Sequence, residues 1–149
     1  MPHHKKENKN FDKIYLTSDL PNVANYQDTN LINPWGMAII DGSMWIANYG
    51  LITNYKLNGQ LLYHAIIPNV STNVVTATGI IKNETTGFVI SNCPNTASSY
   101  LLIASKNGAI FGYNPFVDAI NCIKVIDKSS SNAVYTGLAI TGKYLCATD

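Results

Sequence analysis

The sequence contains no arginine, since all ten of its basic residues are lysines. The formal net charge is +1, and the lysines are scattered apart from Lys5, Lys6 and Lys9. Without guanidinium groups, the chain lacks the side chain best suited to bidentate recognition of phosphate. Because nucleic-acid recognition needs a concentrated basic face, we expect no nucleic-acid partner. Exclusive use of lysine, with abundant Asn and Ile, is typical of AT-rich coding and indicates a large DNA virus or an AT-rich microbe.

Cysteine and long apolar runs are also scarce. Cys93, Cys122 and Cys146 are widely spaced and odd in number, which argues against a disulfide framework or zinc site and predicts buried free thiols. No stretch reaches the roughly 18 to 20 apolar residues of a membrane-spanning helix. The basic start is followed by no apolar segment, so we expect neither a membrane anchor nor a secretory signal. The compartment stays open.

What the sequence does contain is a repeated strand pattern. Two glycine-led strands, starting at Gly36 and Gly79, are about 43 residues apart, which is the spacing of propeller blades. Apolar strands that end in a small or polar residue recur along the chain at 45–48, 88–91, 102–105 and 145–148. The sequence therefore predicts an all-β fold of the propeller class.

Turn signals divide the chain into units. Residues 1–10 read as a disordered tail, and residues 11–149 as one partial propeller domain whose first strand is 11–17. Asp41-Gly42 and Asn58-Gly59 are strong hairpin cues, and they predict a four-stranded antiparallel blade over 36–67. We expect 79–82 to pair with 87–91 across a loop, a further polar loop through Pro94 and Asn95, and a hairpin of 100–105 with 109–113. The segment between these two hairpins is too short for a regular repeat. Two interpretations of the blade boundaries therefore stay open: one blade with an extra strand pair, or two abbreviated blades.

The last unit opens near Tyr135 and has two strands before Asp149. A propeller avoids exposed sheet edges by closing its ring, and about 2.5 to 3 blades, out of an expected six, do not close one. We therefore expect part of a propeller, as the product of a truncated or split reading frame, as a fragment of a longer chain, or as a subunit completed by a second chain or a downstream segment.

The residues just described resemble a family of mostly uncharacterised, often exported bacterial β-propeller proteins related to the NHL-repeat type. The most specific part of the resemblance is the segment 28–38, DTNLINPWGMA, which is similar to the D-P-N-L-V-N-P-W-G-L-A opening of that family. Family members are about twice as long and usually carry an export signal. The resemblance implies a propeller fold and the N-terminal half of such a protein, and it supplies no activity.

Six residues are candidate binding residues at a channel mouth. Asn33-Pro34-Trp35-Gly36 offers an aromatic ring beside a turn, although the structural interpretation has Trp35 filling space between blades while its N–H finds a partner. Four polar residues follow the apolar strands at comparable positions. The candidates are Asn33, Trp35, Asn48, Ser91, Ser105 and Asp149.

Evidence for catalysis is thin. His64 lies on a predicted outer strand with no carboxylate near it in sequence, and the serine runs lack the Gly-x-Ser-x-Gly nucleophile pattern. No cofactor, metal ligand or catalytic residue is assigned. We therefore predict a non-catalytic scaffold that binds a protein or a glycan. Two alternatives are a Ca²⁺-dependent hydrolase of the lactonase or esterase type, with Asp149 as the charged ligand, and a structural surface or virion component.

Overall fold

The computed structural model describes residues 12–149, so the predicted tail of residues 1–10 lies outside the described residues. Within that range the fold is all-β, as predicted, with a single turn of 3-10 helix at Ser129–Ser131. In chain order the strands are β1 (Thr17–Ser18), β2 (Tyr26–Gln27), β3 (Met37–Ile40), β4 (Ser43–Ala47), β5 (Leu51–Lys56), β6 (Leu61–Ile66), β7 (Ala77–Lys82), β8 (Val89–Asn92), β9 (Asn95–Ser98), β10 (Leu101–Ser105), β11 (Ala109–Tyr113), β12 (Ile123–Asp127), β13 (Gly137–Thr141) and β14 (Tyr144–Thr148).

The first sheet is the four-stranded antiparallel meander β3-β4-β5-β6. Asp41 and Gly42, between β3 and β4, both have positive φ angles, 48° and 77°, which is the backbone of a tight type I′ hairpin turn. Gly59 adopts φ 94° between β5 and β6. Both hairpins predicted from these dipeptides are confirmed.

The second sheet has the order β12-β11-β10-β7, all antiparallel. The predicted pairing of 79–82 with 87–91 is wrong, because β7 pairs with β10 through Lys82 and Leu101. Strands β8 and β9 form a separate hairpin inserted between these partners, and β9 lies where a polar loop was expected. All five residues of β10 are buried, as are all five of β11, and these two strands hold the central positions of the sheet.

The Asn83 side chain holds together the two ends of the inserted hairpin. Asn83 follows β7, and its Nδ2 donates to the carbonyls of Gly87 at 3.0 Å and Ser99 at 2.9 Å. These bonds bring the two ends of the insertion together, so the chain leaves the sheet and returns to it at one place. The hairpin β8-β9 is thus a two-stranded sheet of its own, inserted in the chain between β7 and β10 of the second sheet.

The third sheet is the hairpin β13-β14, and the first strands of the three sheets lie side by side. A Cβ built on Gly36, just before β3, would lie 2.6 Å from the Thr78 carbonyl oxygen on β7. A Cβ on Gly79 would lie 3.3 Å from the Leu138 backbone nitrogen on β13. Glycine therefore allows β3, β7 and β13 to approach closely without hydrogen-bonding into one sheet.

The hydrophobic core fills the space between the first and second sheets. Trp45 on β4 is 2% exposed and contacts three tyrosine rings, those of Tyr63, Tyr100 and Tyr113, at centroid distances of 5.3, 5.9 and 6.0 Å. The contacts with Tyr63 and Tyr100 are edge-on and the one with Tyr113 is tilted, and edge-on contacts are favourable for aromatic rings. Apolar side chains from β5, β7, β10 and β11 complete the cluster.

The segment before the first sheet is anchored to it by a buried hydrogen bond. The Tyr55 hydroxyl donates to Asp28 Oδ2 at 2.7 Å, and both residues are buried. Burial raises the pKa of Tyr55 above its ordinary value, with the Asp28 carboxylate adding to the effect. Phe11, the first residue of the strand predicted over 11–17, lies outside the described residues. Within the described part, β1 covers Thr17–Ser18 and pairs in parallel with β2.

The cysteines are free, but only Cys122 is buried, while Cys93 and Cys146 are exposed. The prediction of buried thiols is therefore wrong for two of the three positions. Cys146 lies on the two-stranded third sheet and Cys93 in the turn of the inserted hairpin. Neither location places a second sheet over the thiol.

Candidate functional site

Five of the six candidate residues lie at one end of the three sheets. Asn33 and Trp35 precede β3, Asn48 follows β4, Ser105 ends β10, and Asp149 follows β14. Backbone hydrogen bonds join these strand ends, from Ala77 N to the Asn48 carbonyl at 3.3 Å and from Tyr135 N to the Ser105 carbonyl at 3.2 Å. Ser91 lies elsewhere, in the inserted hairpin.

Most of these polar side chains are already occupied by structural hydrogen bonds. Ser105 is fully buried, and its Oγ donates to the Ala109 carbonyl at 2.9 Å. Asp149 Oδ1 accepts from the Val134 backbone at 2.6 Å, and Ser91 Oγ lies 2.9 Å from Thr96 Oγ1. Their geometry therefore supports turn and strand-end stabilisation.

Asn48 differs from the others in having one unused polar atom. Its side chain is fully buried, and Nδ2 donates to Thr53 Oγ1 at 2.8 Å and to the Ile46 carbonyl at 3.2 Å. Its Oδ1 has no hydrogen-bond partner among residues 12–149. Such an atom costs about 1–3 kcal/mol when it is left unpaired.

The structural interpretation of Trp35 is wrong, because this side chain is 52% exposed. The buried tryptophan between the sheets is Trp45, ten residues later on β4. Trp35 is held at the surface by its backbone, which donates to the Ala47 carbonyl at 3.0 Å. Asn33 before it adopts φ 48°, a left-handed conformation that asparagine tolerates. The turn thus presents the indole instead of burying it.

The ring of Trp35 is part of a larger exposed surface. Lys106 Nζ lies 5.0 Å from the ring centroid, within the range of a cation–π contact. Tyr49 is 42% exposed, and its backbone donates to the Ile32 carbonyl at 3.0 Å. We call the following set the end patch, since its members lie next to one another at this end of the sheets: Ile32, Trp35, Tyr49, Val74 and Lys106.

A polar cleft of about 540 Å³ adjoins the end patch at Lys106. Its walls come from the loop before β7, the β10–β11 turn and the 3-10 turn, and they carry hydroxyl and amide groups. Two of its lining residues, Ser71 and Asn132, have left-handed φ angles of 55° and 57°. Backbone in this region is found at functional sites and costs about 1–3 kcal/mol per residue.

The described range contains no cluster of three or more His, Cys, Asp or Glu side chains arranged to hold a metal ion. It also has no helix with the length and apolar character needed to cross a membrane. His64 is exposed on β6.

Sequence reasoning missed two members of this surface that were adjacent to candidates. Tyr49 directly follows Asn48, and Lys106 directly follows Ser105. At both of these strand ends, the buried polar residue Asn48 or Ser105 is followed directly by an exposed side chain. The sequence repeat therefore indicated the correct end of the sheets. At that end, however, the exposed residue directly follows the candidate residue that the repeat pointed to.

Comparison with known proteins gives relatives without assigned function. No protein-family model and no solved structure matches the chain. Three uncharacterized proteins of Acanthamoeba polyphaga mimivirus are similar to it over 140 residues each. The first is 38% identical, over 91% of this chain and 35% of the relative. The second is 35% identical (91% and 37%), and the third 34% identical (93% and 26%).

The chain thus spans about a third of the length of the first two relatives and about a quarter of the third. The viral source of these proteins agrees with the interpretation of the lysine-only, Asn- and Ile-rich composition.

Proposed function

We propose that this chain is a segment of a β-propeller that acts as a non-catalytic binding scaffold and docks a protein partner through the end patch. The observation that carries the proposal is the half-exposed Trp35 with Lys106 over its ring. Tryptophan is among the residues most enriched at the energetic centres of protein interfaces.

The propeller part of the proposal draws on how the sheets are arranged. Two four-stranded antiparallel sheets follow each other along the chain, the second with the hairpin β8-β9 inserted after β7. Strands β3, β7 and β13 contact one another at Gly36, Gly79 and Gly137. In a propeller the first strand of every blade lines a central channel. The close approach of β3, β7 and β13 is what such an inner ring requires.

A protein is favoured over a glycan at the end patch because apolar groups dominate it. Ile32 is 49% exposed and Val74 38% exposed, beside the two aromatic rings. Exposed apolar groups rimmed by polar ones mark protein contact sites. The hydroxyl and amide groups of the adjoining cleft correspond to the polar rim that surrounds the apolar centre of a protein interface. Lys106 adds a positive charge that suits an acidic partner surface.

We propose a non-catalytic function because the polar candidate residues already have structural roles. The Ser105, Ser91 and Asp149 side chains are engaged in local hydrogen bonds. A nucleophile or base must instead be within reach of substrate. We therefore treat these groups as supports of the strand ends.

The test compares three immobilised proteins in pull-downs from extracts of the cells that express the chain, with quantitative mass spectrometry. These are the wild type, a Trp35→Ala/Tyr49→Ala variant, and a Tyr144→Ala control, whose ring is 63% exposed on β14. We expect one or more proteins to be retained by wild type and control and depleted at least tenfold by the patch variant. Identical retention by all three would contradict the proposal, and patch-dependent binding on a glycan array would assign the surface to a glycan.

The viral relatives favour a second candidate function, a structural component of a virus surface. Exposed strand edges and apolar patches are suited to assembly with other chains. Light scattering after size-exclusion chromatography tests this candidate. A monomer at all concentrations would contradict it, while a defined oligomer disrupted by Trp35→Ala would favour it.

A further inference from the structure

One contact between neighbouring sheets occurs twice in the chain. A Cβ built on Gly36 would lie 3.2 Å from the backbone nitrogen of Ile80 on β7, and a Cβ built on Gly79 would lie 3.3 Å from the backbone nitrogen of Leu138 on β13. In both cases a glycine at the start of one sheet faces the residue at the corresponding place in the next sheet. We call the glycines at this position the lead glycines.

Gly137, which opens β13, is the third lead glycine, and no strand lies against it among residues 12–149. A Cβ built there would meet only Thr148 Oγ1 of its own hairpin, at 3.1 Å. The φ angle of Gly137 is not positive, so turn geometry does not explain the glycine. The position has the form that admits a following sheet at Gly36 and Gly79.

The residue directly after each lead glycine shows whether a sheet precedes it. Ile80 is 8% exposed in the core between the first and second sheets, and Leu138 is partly buried. Met37, at the same position of β3, is 63% exposed, and Ile39, on the same face of that strand, is 58% exposed. The first sheet thus has an uncovered apolar face where the other two have a preceding sheet.

The uncovered face does not extend across the whole first sheet. Ile39, Met44 and Tyr55 are directly opposite one another on β3, β4 and β5, so they form one row on this face. Ile39 is exposed, Met44 is half-buried, and Tyr55 is fully buried where residues 14–31 cover β5. A four-stranded sheet stacked here would overlap residues 14–31, whereas a two-stranded sheet over β3 and β4 would not.

The third sheet is a two-stranded sheet of this kind, the hairpin β13-β14. On the face that points away from the second sheet, Ala139 pairs with Cys146, and both are exposed, as is Tyr144. Two strands are enough against the second sheet, because the inserted hairpin covers part of the same face. There, a Cβ built on Gly112 of β11 would lie 2.7 Å from Ile90 Cγ2 on β8.

We propose that the third sheet of one copy of the chain docks on the first sheet of a second copy. Gly137 of one copy would then meet β3 of the other as Gly79 meets β13 within the chain. A second copy is favoured over an unrelated partner because the chain carries both halves of this contact. It has a lead glycine with no following strand in the described range, and a first sheet with an uncovered face of matching width.

This contact joins two different faces, so it is heterologous and closes into a ring when the rotation between copies allows it. Each copy contributes the three sheets that stack at β3, β7 and β13. Two copies therefore supply the six sheets expected from the sequence, within the usual range of propeller rings, and we infer a closed dimer. The inference rests on the propeller arrangement in the proposed function, and it does not depend on binding at the end patch.

The test is light scattering after size-exclusion chromatography, with native mass spectrometry, on the full chain and two contact variants. Met37→Lys/Ile39→Lys places two charges on the first sheet, and Ala139→Lys/Cys146→Lys places two on the third. All four side chains are exposed in the single copy, so the substitutions leave its core intact. We expect the wild type to be a dimer and each contact variant to raise the dimer dissociation constant at least tenfold.

The matched control is Phe116→Lys/Ile120→Lys, which places two charges on the loop between β11 and β12. Both side chains are more than 60% exposed and lie outside the two contact faces, so this variant should dimerise like the wild type. A mixture of the two contact variants tests the head-to-tail geometry. The intact third sheet of one variant can dock on the intact first sheet of the other, so heterodimers should form where neither variant dimerises alone.

Four results would overturn the proposal. The wild type stays monomeric at the highest soluble concentration, the dimer survives in both contact variants, one contact variant alone still dimerises, or the wild type forms open polymers instead of a closed dimer. The wild-type mass decides the proposal even if a variant does not fold. Retention of a partner by Trp35 and Tyr49 in the pull-down is measured separately, so failure of the end-patch proposal and failure of this one are distinguishable.

Discussion

Gly36 lies so close to the neighbouring sheet that a Cβ built on it would sit 2.6 Å from the carbonyl oxygen of Thr78. The same Cβ would lie 3.1 Å from the α-carbon of Gly79. These are backbone atoms, which cannot rotate away as a flexible side chain can. The contact between the first and second sheets at β3 and β7 therefore depends on the absence of a side chain at position 36.

Gly36→Ala should destabilise the fold by about 1–3 kcal/mol, because β3 and β7 must separate to accommodate the methyl group. Gly87→Ala is the matched control, since a Cβ there would meet only Thr85 Oγ1, at an ordinary 3.4 Å. The control should stay within about 1 kcal/mol of wild type. Urea denaturation measures both values, and equal stability of the two variants would contradict the close-contact explanation.

The Tyr55–Asp28 hydrogen bond should be a second determinant of stability. Tyr55→Phe removes the donor and leaves a buried carboxylate oxygen unpaired, which should cost about 1–3 kcal/mol. Tyr26→Phe is the control, because Tyr26 is exposed and its hydroxyl takes part only in a 3.4 Å contact with Asn58. Thermal unfolding should separate the two variants. Loss of stability in Tyr26→Phe of the same size would indicate a nonspecific effect of removing a hydroxyl.

The parts of the fold that followed from local sequence were predictable, and those set by distant contacts were not. Asp41, Gly42 and Gly59 have positive φ angles, which favour Asp and Gly at these turns, so both hairpins were predictable from the two dipeptides. Sequence reasoning predicted that β7 pairs with 87–91, the segment that is nearer in sequence. The actual partner, β10, is buried along its whole length by contacts with segments distant in sequence.

The candidate surface shows the same division. The repeat placed Asn48 and Ser105 at corresponding strand ends, but it could not distinguish an inward side chain from an outward one. Because Trp35 and Trp45 are the same amino acid, residue type alone predicts the same degree of burial for both. Trp45 is buried because its strand position faces the second sheet, whereas Trp35 precedes β3 and its turn directs it to solvent. Side-chain direction at a strand end is fixed by the turn, which hydrophobic pattern does not report.

Asp127 should titrate well below an ordinary carboxyl. Hydrogen bonds from Lys124 Nζ at 2.7 Å and from Ser129 Oγ at 2.6 Å lower the pKa of Asp127 to about 2. Because the folded pKa lies below the unfolded value of about 3.9, the interaction stabilises the fold above that pH and is lost as the pH falls through about 2. NMR titration of the carboxyl carbon should show this midpoint, and Lys124→Ala should raise it.

The control for that titration is Lys13→Ala, which removes a lysine whose Nζ lies over the Tyr15 ring and should leave the Asp127 midpoint unchanged. A wild-type midpoint near 4 would show that the contacts with Lys124 and Ser129 do not persist in solution.

Thiol reactivity should divide the three cysteines into two classes. Cys93 and Cys146 are exposed, so Ellman's reagent should label two thiols rapidly in the folded protein. Cys122 is 1% exposed, and burial, reinforced by the Asp118 charge, raises its pKa, so the reactive thiolate is scarce and inaccessible. The Cys122 thiol should therefore react only after denaturant is added. In Cys122→Ala, denaturant should release no third thiol, while the two rapidly labelled thiols remain. Rapid labelling of all three thiols in the folded protein would show that the segment carrying Cys122, directly before the edge strand β12, opens.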